Sequence, residues 1–252
     1  MALMRTSNPA FRGAFDPQGL VIGERMTVTG TVNKTGILTL CVIATAAWTW
    51  NRFLNAGDPE VAMASVMPLL LLGGIGGFVM ALVTIFKKEW SPITAPIYAL
   101  LEGLVLGGIS AITEIRFHGI PMQAVGLTFG TLVALLLVYR AGVIKVTDNF
   151  RMGVVAATGG IALFYVATMI MGFFGVRFPS IFGSGMLGIG ISLFVVVVAA
   201  LNLVLDFDLI ERGAQAGAPK YMEWYGAFAL MVTLIWLYLE ILRLLTKLQR
   251  RN

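Results

Sequence analysis

Seven long apolar runs, each broken off by charged or turn-forming residues, constrain this chain more than any other feature. They are Gly36–Phe53, Val61–Phe86, Pro92–Ile115, Ile120–Tyr139, Gly153–Gly175, Ser184–Leu205 and Trp224–Leu245. A bilayer-spanning helix needs about 20 mostly apolar residues, and each run approaches or exceeds that length. Within lipid, backbone N–H and C=O groups find no water, so such runs span as helices or as closed barrels. Runs this continuous, without strand-like alternation, predict helices. The expected fold class is an all-α membrane protein, a bundle of seven transmembrane helices.

Composition agrees. Of 252 residues, 58% are apolar and only 12% charged, where soluble domains carry about a quarter charged. Two function classes fall away on counts alone. One cysteine (Cys41) and one histidine (His118) leave no intrachain disulfide, no CxxC motif and no multi-histidine metal site. Serine and threonine are common in the runs, but no histidine or intramembrane lysine stands beside them as a base, so an enzyme is not expected. The net charge of +5 does not point to nucleic acid, because the basic residues stand singly between apolar runs.

Residues 1–34 are the sizeable polar stretch, rich in Gly and Pro. They are read as a cytoplasmic N-terminal arm without a signal peptide, and 35–252 as the seven-helix transmembrane domain. With the N-terminus inside, eleven basic residues fall on inner segments and three (Arg52, Arg116, Arg177) on outer loops, which predicts that orientation by the positive-inside rule. The tail disagrees: seven crossings put Arg243, Lys247, Arg250 and Arg251 outside. Either the tail departs from the rule, or one of the last two runs re-enters without crossing. Glycines cluster in the second run (Gly73, Gly74, Gly76, Gly77), the third (Gly103, Gly107, Gly108) and the sixth (Gly185, Gly188, Gly190). They are read as close helix packing, with Gly73–Gly77 as the candidate for a bend.

Ionisable residues at membrane depth are costly and mark functional candidates. Glu102 lies ten residues into the third run, roughly 15 Å deep at 1.5 Å per residue, with no Lys or Arg at that depth. It is a candidate for proton or cation handling; a structural hydrogen bond between helices is the alternative. Asp206 and Asp208 close the sixth run, and Asn202 lies one helical turn before Asp206 on the same face. Together they offer oxygen ligands to a hard cation such as Ca²⁺, or are solvated acids ending a span. Glu223 opens the seventh run at the same face, where a hairpin would bring it near Asp206. Glu240 is expected to pair with Arg243 or to face the outer headgroups, and Glu114 to sit at the interface.

The stretch Leu205-Asp206-Phe207-Asp208-Leu209-Ile210, followed by a Gly-containing loop and a last span, resembles the end of the Bax inhibitor-1 family. There an Asp-Thr-Gln-like motif closes the sixth helix. Ala99 to Gly107 resembles the family's Glu-Gly segment in the third helix. The arm, with Arg5 to Phe11 and Thr31 to Thr35, is similar to a bacterial branch. The resemblance covers the whole chain. It implies seven helices with a central last helix, and a pH-sensitive Ca²⁺ leak gated by two aspartates, one on each of the last two helices, sharing a proton. The first carries over to Asp206. The second does not, because its expected place near Met231 to Thr233 holds no acid. Asp208, at the Gln position of the motif, and Glu223 are the candidate replacements.

The reading is therefore a multi-pass protein of a bacterial inner membrane, conducting cations through acidic residues near the end of the sixth helix. No cofactor is expected, and Ca²⁺ enters as the permeant ion. Two alternatives remain: a non-conducting regulator that binds other membrane proteins, and a proton-coupled transporter using Glu102. Beyond the lipid bilayer and such membrane proteins, no partner is expected.

Overall fold

The computed structural model describes residues 24–175 and 183–251. Arg5, Arg12 and Arg177 of the charge count, and most of the N-terminal arm, lie outside the described residues. Seven helices are long and apolar enough to cross a membrane: α1 (Val28–Leu54), α2 (Pro59–Phe86), α3 (Ser91–Arg116, after a 3-10 turn at Lys88–Trp90), α4 (Ile120–Arg140), α5 (Asp148–Phe173), α6 (Met186–Gln215) and α7 (Met222–Arg251). Among the described residues no strand forms; a single antiparallel bridge joins Arg25 to Pro219.

Several helices outrun the apolar stretches that announce them. Helix α1 begins at Val28, where Thr27 caps it by accepting from Gly30 N. The boundary expected between 34 and 35 thus falls inside a helix. Helix α6 continues ten residues past Leu205 to Gln215, which places Asp206 and Asp208 within a helix rather than at its end. The reason is general: once its intrahelical hydrogen bonds are under way, a helix propagates at little cost through polar residues of good propensity.

Helix α7 is the axis. Its apolar stretch is 61% buried, against 11% for α5, and it packs on α1, α3, α4 and α6. The main core gathers Leu38, Tyr98, Leu203, Phe207, Phe228 and Leu237 around it. Helices α1 and α3 approach closely because α3 presents glycines. A Cβ on Gly107 would lie 2.8 Å from Ala46 Cα, and one on Gly103 would strike Thr45 and the α1 backbone. Gly73 meets the Leu101 carbonyl and Gly108 meets Leu70. The sixth-run glycines differ: Gly185 and Gly190 face open space.

Contacts between helix ends fix the direction of every crossing. At one end the start of α7 meets the starts of α1 and α3, through Glu223 with Thr27 and Ser91 Oγ donating to Tyr221 O. At that same end α6 finishes against the end of α4 (Tyr139–Glu211) and the start of α5 (Arg151–Asp208). At the other end, Lys247 of α7 donates to Gly188 O and Ser192 Oγ at the start of α6, both at 2.9 Å. Helices α6 and α7, 30 residues each, reach about 45 Å and need no re-entry to cross a hydrocarbon core of about 30 Å. The chain crosses seven times.

The basic tail is explained by its partners. Arg243 pairs with Glu240 at 2.9 Å and bonds Tyr165 OH at 2.7 Å, Lys247 is buried on α6, and Arg250 lies 5.6 Å over the Phe117 ring. Arg243, Lys247 and Arg250 thus join α7 to its neighbours at that end.

Candidate functional site

Six described acids are buried or half-buried, and apart from Glu114 at the end of α3 they divide by partner. Glu223 has no exposed surface. Thr27 N and Thr27 Oγ1 each donate to its Oε1 at 2.9 Å, Lys220 lies 3.3 Å from Oε1, and Lys34 forms an ion pair with Oε2. Met26 N donates to Ala218 O at 2.8 Å beside it, so this acid ties residues 26–34 to the α6–α7 turn. Lys220 stands outside the spans, and hydrogen bonding to Glu24 holds its ammonium above the ordinary lysine value. Asp208 accepts from Arg151 Nη2 at 2.7 Å and from Arg212 Nε at 2.9 Å. Glu240 pairs with Arg243 as the sequence predicts. Each of these three acids is compensated by at least one cation.

Glu102 and Asp206 are not. Neither makes a salt bridge among the described residues, and both line one cavity of about 560 Å³ between α2, α3, α6 and α7. Asp206 Oδ2 is sealed from solvent without a hydrogen-bond partner; among the described residues, Thr49 Oγ1 is the other side-chain atom in that condition. The Thr233 hydroxyl of α7 faces the Asp206 carboxyl. Thr233 also bonds its own helix, donating to Ala229 O at 3.3 Å.

Helix geometry explains why these groups meet. Glu102 lies eleven residues into α3, Thr233 eleven into α7, and Asp206 nine before the end of α6. Those helix ends share one side of the bundle, so the three residues stand at a common depth of about 14–17 Å. Gly77 of α2 makes room at this level, since a Cβ there would lie 2.8 Å from Glu102 Oε1. The rest of the lining is mostly apolar, with Phe78, Phe228 and Val232, and carries the phenols of Tyr98 and Tyr225.

The other expected ligands stand elsewhere. Asn202 Nδ2 donates to Thr158 Oγ1 of α5 and to Val198 O, both at 2.8 Å, which joins two helices. Asp208 and Glu223 do not line the cavity; the first is held between arginines, the second between lysines. Glu114 accepts from Gly119 N at 3.0 Å. The Asp208–Arg212 pair was readable at i, i+4 spacing, but Arg151 and Lys34 reach their acids across 57 and 189 residues, for which a sequence pattern carries no signal. No group of three or more His, Cys, Asp or Glu gathers among the described residues to cage a metal. A second cavity, of about 430 Å³ between α1, α3, α4 and α7, is apolar apart from a few hydroxyls, including the Ser110–Tyr238 pair at 2.6 Å.

Such an arrangement has specific chemical consequences. Two carboxylates in a low-dielectric cavity without a cation beside them favour uptake of a proton or a metal ion. Their oxygens and the neighbouring hydroxyls are hard ligands of the kind Ca²⁺ takes.

No curated protein and no solved structure gives a match to this chain. The family model described as Bax inhibitor 1 like matches residues 8–250, and the chain, a multi-pass membrane protein of seven helices, belongs to that family.

Proposed function

We propose that this protein passes cations slowly across a bacterial inner membrane, in a pH-sensitive way, with the N-terminus in the cytoplasm and Asp206 at the gate. Ca²⁺ is the first ion to test, as permeant ion and not as cofactor, and no enzymatic step is involved. The observation that supports this most is the sealed, unpaired Asp206 Oδ2 at the edge of a cavity deep in the bundle. A buried acceptor without a donor costs stability, and a passing ion or proton is what such a group accommodates. Among the described residues no three-acid cage forms, which suits passage better than residence, because a permeant ion must also leave.

The sign of the pH effect follows from charge. Ionised, Asp206 attracts a cation; protonated, it offers none of that attraction, so flux is expected to fall as the medium becomes acidic. The test is Ca²⁺ flux in liposomes reconstituted with the full chain, at a neutral and a mildly acidic pH. Asp206→Asn should flatten the difference between them. Wild-type vesicles that leak no faster than empty ones, at either pH and with any of several cations, would refute the reading.

A further inference from the structure

We propose that Glu102 and Asp206 form one two-carboxylate site for a single hard divalent cation, for which a single proton competes. The inference rests on the passage reading for its physiological meaning, but not for its chemistry. Among the described residues the buried acids Asp208, Glu223 and Glu240 are each paired with an arginine or a lysine. Of the half-buried acids without a cation, Glu114 accepts from the Gly119 backbone at a helix end, while Glu102 and Asp206 line the same cavity. They come from helices that are far apart in sequence yet reach the same depth, so their meeting is a property of the fold and not of one helix face.

Two like charges lining one largely apolar cavity repel, and the sealed Oδ2 of Asp206 takes little screening from solvent. Among the described residues the cavity supplies no cation from its lining. Helix α2 lines it with Gly74, Phe78, Ala81 and Ile85, none of them titratable. The remaining titratable groups that face it are the phenols of Tyr98 and Tyr225. Lys88 lies 5.3 Å over the Tyr225 ring and is not among the lining residues. Relief must therefore come from outside, as a proton or a metal ion bound between the acids. A total charge of −2 with hydroxyl oxygen nearby selects a hard divalent ion over a soft one. Thr233 adds a neutral oxygen without a third charge, which keeps binding weak enough for release.

The test is Ca²⁺ binding to the detergent-solubilised full chain by titration calorimetry, together with flux in liposomes. Glu102→Gln and Asp206→Asn should each weaken Ca²⁺ binding by about tenfold or more, because affinity follows ligand charge. The double variant should bind no more weakly than the weaker single one, as expected of two residues that act as a unit. Glu102→Asp, which keeps the charge, should retain most of the binding, and it provides the comparison should the Gln variant fail to fold. Wild-type binding that Glu102→Gln leaves intact, or losses that simply add in the double variant, would overturn the single site. If Asp206→Asn alone then still flattened the pH response of flux, the passage reading would stand without this inference. Coupled Ca²⁺ binding in a protein that passes no ions would support the site and remove the passage.

Discussion

Glu223 is the residue whose loss the fold should feel most sharply among its charged groups. Its side chain is fully buried, both oxygens are occupied, and a Cβ on Gly30 would collide with its carboxylate. Glu223→Gln keeps the shape and lets the amide oxygen still accept from Thr27. It also turns an NH₂ toward Lys34, donor against donor, and leaves that ammonium, 16% exposed, without its counter-charge. Breaking one side of a buried pair costs about 3–5 kcal/mol. Lys220, at 43% exposure, adds little, since solvent screens an exposed pair. For a chain of this size about 2–4 °C accompanies each kcal/mol, so a thermal melt in detergent should fall by roughly 6–20 °C. The variant Lys34→Met in the Glu223→Gln background should recover most of that loss, because it removes the orphaned charge. A Glu223→Gln melt within about 2 °C of wild type, the scale of a surface pair, would refute the claim that this acid anchors the N-terminal segment.

Two further outcomes follow from the packing and the crossings. Gly107→Val places a branched side chain against the Ala46 backbone, 2.8 Å from Cα at its first atom; rigid backbone cannot yield, so α1 and α3 should separate at a cost of at least about 1–3 kcal/mol, read as a lower melt, while the same change at Gly74, which faces open space, should be nearly neutral. A reporter fused before Met1 should behave as cytoplasmic and one after Asn252 as external; two fusions on the same side would contradict the seven crossings.

The number of helices was legible because apolar runs are a one-dimensional signal, and lipid leaves the backbone few alternatives. Their ends were not, because the apolar run stops at its first acids while the helix continues through them, as α6 does from Leu205 to Gln215. Glu102 was visible as an acid at depth, whereas Asp206 read only as an acid closing the sixth run. Their meeting in one cavity was not visible, for it depends on helix order and rotation, which a single sequence does not encode in any local pattern. The partners of Glu223 and Asp208 were hidden for the same reason. Lys34 reads as a charge at the edge of a polar arm until α1 is known to start at Val28 and to carry it beside α7.

The distribution of compensated and uncompensated acids also bears on which part of the bundle is built to move. Near one end, Glu223 with Lys34 and Asp208 with two arginines tie α1, α5, α6 and α7 together. Near the other, Glu240, Arg243 and Tyr165 join α7 to α5, and Lys247 joins it to α6. Between these ties lies the level of Asp206 and Glu102, where no ion pair crosses. Charge-assisted bonds are short, directional and costly to break once desolvated, so the two ends resist rearrangement. The level between them has apolar contacts, an open cavity and an acceptor without a donor. Apolar contacts are non-directional, and a helix that shifts slightly against them loses far less than one that breaks a buried pair. On the passage reading proposed above, a gate at this level would work against the weakest restraints in the bundle, while the tied ends keep the helices in register.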